Sequence, residues 1–279
     1  MDGKVILLTG ATSGIGREAA LALAPSGAVL VLVGRDRAKT DALVAELRAI
    51  NPAVEGLVAD LSSQAEVRRL AAEFLARFDR LDVLVNNAGA LFTTREETVD
   101  NIERTFALNH LAYFLLTTLL LERLRASAPS RVVSVSSNAH RRGRMHWDDL
   151  GLRGYPGQGW GAYGQSKLAN ILFTRELARR LEGTGVTANC LHPGFVDTGF
   201  ARNNGRLARL IMALTRPLQR RADKGAETVV WAASAQELTT ATGHYFTDCA
   251  PRKTTAAGDS VADAQRLWEV SARMVAGSA

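Results

Sequence analysis

Short runs rich in Val, Ile and Leu alternate with longer stretches of helical period along the chain. Seven short runs read as strands: Val5–Thr9, Ala28–Val33, Val54–Val58, Leu81–Val85, Arg131–Val135, Val186–Leu191 and His244–Phe246. The early ones are apolar on both faces, as parallel strands buried between two layers are. Between them, Ile15–Ala24, Ala38–Ile50, Ala65–Phe78, Val99–Arg125, Tyr163–Leu181 and Ala226–Ala235 carry helical spacing. Pro25 and Gly27 end the first helix, and Ser62 and Ser63 can cap the third. This alternation with short links predicts an α/β fold, a doubly wound parallel sheet flanked by helices. No composition shift marks a linker and no repeat recurs, so residues 1–279 are expected to form a single domain.

Two stretches break the rhythm, His140 to Gly161 and Thr198 to Lys224. Both follow strand C-termini, the sheet edge where open α/β folds bind ligands. His140, Met145, Trp147, Leu150, Tyr155 and Trp160 offer apolar walls there, as do Phe195, Phe200, Leu207, Leu210, Ile211 and Leu214. Leu207, Leu210, Ile211, Leu214 and Leu218 recur at helical spacing opposite Arg202, Arg206, Arg209, Arg216, Arg220 and Arg221. We read this stripe as a substrate lid at about 198–224. Lid contact with a lipid surface stays open, although a stripe packed on the core, with its arginines in water, is the simpler reading.

Composition narrows the classes. The 279 residues are 47% hydrophobic and 22% charged, which excludes a disordered chain, a fibrous repeat and a disulfide scaffold. Lys and Arg total 34 against 28 acids, a formal net charge of +6. The arginines are interleaved with acids (Arg68 and Arg69 near Glu66 and Glu73; Arg179 and Arg180 near Glu176 and Glu182), as on solvated helix faces. No nucleic-acid partner is expected. Cys190 and Cys249 form no CxxC, and His140 and His192 lack partners at metal spacing, so reduced thiols and no metal site are expected. The apolar start Val5-Ile6-Leu7-Leu8 is too short for a signal peptide, and the run Leu111 to Leu121 is too short for a transmembrane span. A cytoplasmic location is the expectation.

Two motifs carry chemistry. Thr9-Gly10-Ala11-Thr12-Ser13-Gly14-Ile15-Gly16 follows the first strand and opens the first helix. Gly10 can make the tight turn, Gly14 can admit a pyrophosphate to backbone N–H groups, and Gly16 can let helix and strand pack closely. The spacing is GxxxGxG, which alone is a weak signal. At the end of the second strand Gly34 leaves room, and Arg35, Arg37 and Lys39 cluster where an NAD-preferring enzyme usually carries an acid. A guanidinium can pair with a 2′-phosphate, so NADP(H) is expected over NAD(H), which stays open; solvated charges at a helix start are the competing reading. The second motif, Tyr163-Gly-Gln-Ser-Lys167, puts a phenol and an ammonium on one helix face. A nearby positive charge favours the phenolate and brings its pKa toward the working range.

Together these pieces resemble the short-chain dehydrogenase/reductase family. The match adds Asp60-Leu61, Asn86-Asn87-Ala88-Gly89, Asn109, Ser136-Ser137 and Pro193-Gly194-Phe195-Val196-Asp197-Thr198, all in the family's order. Val135 to His140, Ser166 to Ala178, Gly243 to Cys249 and Arg266-Leu267-Trp268 look like its retinol dehydrogenase-like branch. The resemblance implies a single Rossmann-like domain with a seven-stranded parallel sheet. It implies Tyr163 as proton donor and acceptor, Lys167 on the nicotinamide ribose, Ser137 on the substrate oxygen, and Asn109 holding a water that links Lys167 to solvent. Strand alternation points only one of Ser136 and Ser137 inward, and the family pattern favours Ser137. Gly10, Thr12, Ser13, Gly14, Ile15, Gly16 and Arg35 would bind the cofactor with Asp60 and Leu61 at the adenine. Asn87, Ala88 and Gly89 would lie along the ribose, and Pro193, Val196 and Thr198 would cover the nicotinamide. Helices Val99–Arg125 and Tyr163–Leu181 are surfaces such proteins use to form homodimers.

The expected function is an NADP(H)-dependent oxidoreductase interconverting a carbonyl and an alcohol on a lipophilic small molecule. The alternative is a catalytically silent NADP(H)-binding sensor or scaffold of the same fold, which would have no need of a proton relay. A sugar-nucleotide epimerase would show TGxxGxxG and a longer C-terminal domain, and the sequence has neither.

Overall fold

The computed structural model describes residues 1–154, 158–194 and 222–276. Its centre is one sheet in the order β3-β2-β1-β4-β5-β6-β7-β8. The strands are β1 (Val5–Thr9), β2 (Val29–Gly34), β3 (Val54–Val58), β4 (Val83–Asn86), β5 (Ser130–Val135), β6 (Val186–His192), β7 (Tyr245–Thr247) and β8 (Ala250–Pro251). The first seven pair in parallel, as their apolar runs predict, and β8 adds a two-residue antiparallel edge that the sequence did not suggest. β1 pairs on both sides, with Ile6 opposite Leu30 and opposite Val83. The strand order therefore reverses between β1 and β4, which opens a crevice at their C-terminal ends.

Helices cover both faces. α1 (Gly14–Leu23), α2 (Arg37–Arg48) and α6 (Ala222–Ser234) lie over one core, which includes Ile6, Leu8, Leu30, Leu32, Val85 and Val229. α3 (Gln64–Arg77), α4 (Arg104–Ala126), α5 (Gln158–Arg180) and α7 (Val261–Val275) lie over the other, which includes Leu7, Val31, Leu84, Phe114, Phe173 and Leu267. α4 is long and apolar enough to cross a membrane, yet 72% of its most apolar window is buried within the protein. Its side chains Leu115, Leu116, Leu120 and Leu124 make it a core helix of the sheet layer.

The expected helix Val99–Arg125 begins later than its pattern suggests. Val99 is 83% exposed, Asn101 has φ 56, and Glu97 bridges Glu103. The buried Glu103 carboxylate then accepts from the N–H groups of Thr105 and Phe106 at 2.8 Å each and starts the helix at Arg104. Ala107–Leu111 is a π-helical turn inside α4 and carries Asn109 and His110 inward.

Candidate active site

The C-terminal ends of β1, β4 and β5 open into one cleft of about 1420 Å³. That exceeds the ~300–1,000 Å³ of an ordinary small-molecule pocket and leaves room for a dinucleotide beside a second ligand. Of the residues singled out from the sequence, Gly10, Thr12, Ser13, Gly14, Ile15, Gly16, Arg35, Asp60, Leu61, Asn87, Ala88, Gly89, Ser137, Tyr163, Lys167 and Pro193 line it. Val196 and Thr198, and the proposed lid from 198 to 221, lie outside the described residues. The last three residues of the expected lid segment, Ala222 to Lys224, already belong to α6.

At one end the glycine turn is held shut against β4. Gly10 has φ 67, and a Cβ there would sit 2.8 Å from Ala88 Cα. A Cβ on Gly16 would be closer still to the Gly10 carbonyl, so only glycine permits this approach of turn, helix and strand. Asn87 Nδ2 donates to Thr9 O at 2.8 Å, and the N–H groups of Asn87 and Ala88 donate to Thr9 Oγ1 at 2.9 and 3.1 Å. Asn87 thus braces the turn with its side chain. Ser13 is extended at the N-terminus of α1 and makes no side-chain capping bond. By contrast, Asp36, Ser63 and Ser260 cap α2, α3 and α7 with their side chains. The first N–H groups of α1 therefore face the cleft without a capping oxygen, which suits a pyrophosphate.

The end of β2 discriminates among the three cations read from the sequence. Arg35 and Lys39 line the cleft and Arg37 does not. Arg37 reaches Asp41 at 4.0 Å and Lys39 reaches Asp36 at 4.0 Å. Arg35 has no ion pair among the described residues. Gly34 offers less room than the sequence suggested, because a Cβ there would collide with Thr40 Oγ1 and Thr12 Cγ2. A side chain at that position would displace Thr40 or Thr12, and Arg35 is the first residue after β2 to line the cleft.

At the other end stand the hydroxyls. β5 ends at Val135, and the next two residues part company. Ser136 is buried and donates to Lys167 O at 2.7 Å. Ser137 accepts from Ala139 N at 3.2 Å, and its hydroxyl is near enough to the Tyr163 phenol to act on that group's pKa. α5 brings Lys167 one turn beyond Tyr163, with its Nζ 5.6 Å from the Tyr163 ring. Nζ donates to Val135 O at 2.9 Å. Burial pushes the Tyr163 phenol well above its ordinary value, opposed by the Ser137 hydroxyl. Burial pulls the Lys167 ammonium down to about 7. Burial is the largest influence on both groups, raising the phenol and lowering the ammonium.

Asn109 does not line the cleft. It is fully buried, its Oδ1 accepts from Ala90 N at 2.9 Å, and its Nδ2 donates to Ala90 O at 2.9 Å and Ser166 Oγ at 3.1 Å. Its side chain clamps the loop after β4 to α5. His140 is buried behind Ser137, with Nδ1 2.6 Å from Ser137 O, rather than exposed in a substrate wall.

The apolar wall also needs correction. Met145, Trp147 and Leu150 pack against the core, and Arg266 lies over the Trp147 ring at 4.5 Å. Tyr155 and the expected wall residues Phe195, Phe200, Leu207, Leu210, Ile211 and Leu214 fall outside the described residues. Of the described residues named for the wall in the 140–161 stretch, Trp160 alone lines the cleft. Leu91, Phe92 and Leu108 join it, from the loop after β4 and from α4. Sequence reasoning missed them because that loop follows a motif already assigned to the cofactor.

Comparison with known proteins agrees with this geometry. Residues 4–207 match the family model described as short chain dehydrogenase. The chain is 43% identical over 278 residues to retinol dehydrogenase 12 of Mus musculus, covering 99% of this chain and 87% of the relative. It is 39% identical over 282 residues to retinol dehydrogenase 13 of Homo sapiens, covering 99% and 85%. A crystal structure of an uncharacterised protein from Mycobacterium paratuberculosis superposes with a TM-score of 0.80 at 33% identity, covering 99% of this chain and 95% of that one. The NADP active-site complex of Pseudomonas aeruginosa RhlG superposes with a TM-score of 0.71 at 29% identity, covering 88% and 94%.

Proposed function

This chain belongs to the short-chain dehydrogenase family and is an NAD(P)-dependent oxidoreductase; from that premise we propose that it interconverts a carbonyl and an alcohol on a lipophilic small molecule with NADP(H). The observation that carries this reading is that Ser137, Tyr163 and Lys167 line one cleft, with the Lys167 Nζ 5.6 Å from the Tyr163 ring. Retinal-like aldehydes are the first substrates to try, given the retinol dehydrogenases among the relatives. NADP in a neighbour's active site and Arg35, which lines the cleft with no ion pair among the described residues, favour the phosphorylated cofactor.

The uncapped start of α1 and the glycine turn would hold the pyrophosphate, and Arg35 the 2′-phosphate. Asp60 and Leu61 would meet the adenine, and Asn87, Ala88 and Gly89 the ribose beside it. Lys167 would meet the second ribose, and Pro193, with Val196 and Thr198, the nicotinamide. Once bound, that cofactor supplies or accepts the hydride. Everything else falls to the protein. In reduction, charge develops on the substrate oxygen, and Ser137 and Tyr163 both donate hydrogen bonds to it. Tyr163 then transfers its proton to that oxygen. Burial holds the Tyr163 pKa above the working range, so the transfer depends on stabilisation of the phenolate that forms. The phenolate left behind is stabilised by Lys167, fixed on Val135 O. In oxidation the same proton returns to Tyr163.

The test is a panel of retinal, alkyl and aryl aldehydes and steroid ketones followed by NADPH absorbance, with NADPH binding measured by fluorescence. Tyr163→Phe is expected to lower turnover by about 10³-fold or more while binding persists. Unchanged turnover in that variant overturns the mechanism. NADPH binding by the wild type without turnover on any of the panel would favour the silent sensor.

A further inference from the structure

Behind Lys167 lie three polar side chains that the proton transfer itself does not use. Asn170 follows Lys167 on α5, His110 sits on the π-helical turn of α4, and Ser271 sits on α7; each is 0% exposed. Asn170 Nδ2 donates to Asn109 O at 2.9 Å and to Val135 O at 3.3 Å. Val135 O is also the acceptor that holds Lys167 Nζ, at 2.9 Å. Asn170 Oδ1 lies 3.3 Å from His110 Nδ1, and His110 Nε2 lies 2.9 Å from Ser271 Oγ.

Donor and acceptor rules assign every proton in this row. Two carbonyl oxygens can only accept, so the NH₂ group of Asn170 must face them. Asn170 Oδ1 is then left to accept from His110, which places the imidazole proton on Nδ1. Nε2 is therefore an acceptor, and Ser271 donates to it. His110 packs against the rings of Phe106 and Phe173 at 5.0 and 6.1 Å, with no carboxylate beside it. Burial lowers its pKa to about 4, so it carries a single proton at neutral pH, as the row demands. Moving that proton to Nε2 would set two lone pairs face to face. Turning Asn170 to relieve them would aim Oδ1 at two carbonyl oxygens.

We propose that Ser271, His110 and Asn170 are positioning residues that fix the Val135 carbonyl, and through it the Lys167 ammonium, so that docking of the C-terminal helix sets the geometry of the proton relay. This rests on the Tyr163–Lys167 reading above. Gly89 lies beside Lys167 Nζ, the rings of Tyr113 and Tyr163 lie 5.8 and 5.6 Å from it, and no carboxylate pairs with it among the described residues. The ammonium thus leans on one main-chain acceptor among the described residues, and the orientation of Val135 O matters to it more than it would beside a carboxylate.

The test uses the full chain with Ser271→Ala and Ser271→Thr. Removing the hydroxyl frees His110 to change tautomer and Asn170 to turn. Ser271→Ala is expected to lower kcat about tenfold and to move the midpoint of the kcat pH profile by about half a unit, while Ser271→Thr restores both to near wild type. Nitrogen chemical shifts of His110, read without any substrate, are expected to show the proton on Nδ1 in the wild type and a tautomer mixture in Ser271→Ala. Three results overturn the proposal: an Nε2 proton in the wild type, an unshifted pH profile in Ser271→Ala, or a loss of activity that only tracks the unfolded fraction. An active Tyr163→Phe would instead count against the relay itself, and the His110 tautomer separates the two failures.

Discussion

Ser136 and Ser137 are neighbours in sequence with different partners: Ser136 donates to the main-chain oxygen of Lys167 at 2.7 Å, while Ser137 accepts from Ala139 N at 3.2 Å and its hydroxyl acts on the phenol of Tyr163 in the cleft. One hydroxyl ties β5 to α5 and the other faces the chemistry. Replacing each should therefore separate stability from turnover. Ser137→Ala is expected to lower kcat by about 10²-fold with an unfolding midpoint near wild type. Ser136→Ala removes a buried hydrogen bond to a carbonyl that keeps its helical donor, and should lose about 0.5–1.5 kcal/mol of stability while keeping most of its turnover. Urea unfolding together with NADPH-linked turnover checks both. The reverse outcome would mean that the strand register has been assigned one residue out.

Arg35 offers a second separation. It lines the cleft without an ion pair among the described residues, whereas Lys39 and Arg37 have acidic neighbours at 4.0 Å. A guanidinium on a phosphate contributes roughly 1.5–3 kcal/mol, or about ten- to a hundredfold in affinity. Arg35→Ala should raise the KM for NADPH by about that factor and leave the KM for NADH within twofold. Equal losses with both cofactors would show that Arg35 does not read the 2′-phosphate.

What could be read from the sequence was what chain proximity controls. The glycine turn and Tyr163/Lys167 each lie within one element and its flank, so spacing alone places them on one face. The seven parallel strands were legible because burial on both faces leaves continuous apolar runs. Misreadings arose where distant segments decide. Met145 and Trp147 look like pocket residues, yet both pack against the core, and α7 places Arg266 over the Trp147 indole. The start of α4 escaped because Glu103, an uncommon capping residue, provides its cap. Asn109 was legible as a site residue, but its bonds to Ala90 and Ser166 depend on a π-helical turn that periodicity does not reveal.

Trp160 is the exposed aromatic of the cleft. It is 61% exposed and meets the Tyr163 ring edge-on, centroids 6.2 Å apart. An indole in that position gains contact only when an apolar substrate covers it. Covering roughly 80 Å² at about 25 cal/mol per Å² gives about 2 kcal/mol, or some thirtyfold in affinity at most. Trp160→Ala should raise the KM for retinal or a long alkanal about tenfold, with kcat at saturation and NADPH binding unchanged. A short aldehyde, too small to reach the ring, should be unaffected. A fall in kcat with an unchanged KM would place Trp160 in the organisation of Tyr163 instead.

His110 also makes the fold sensitive to acid. Its folded pKa is held down to about 4 by burial, below the ordinary 6.5 of the unfolded chain. The unfolded chain therefore takes up a proton that the folded one refuses as the pH falls. The stabilisation is full above 6.5, declines as the pH falls through the window from 6.5 to 4, and changes no further below that. At about 1.4 kcal/mol per unit the whole window is worth about 3 kcal/mol. His110→Gln keeps a neutral donor and acceptor at the site but cannot titrate. Its urea midpoint should start lower at pH 7.5 and fall less steeply to pH 5 than that of the wild type. Parallel slopes in the two proteins would show that His110 is protonated in the folded chain as readily as in the unfolded one, contrary to its packing between Phe106 and Phe173.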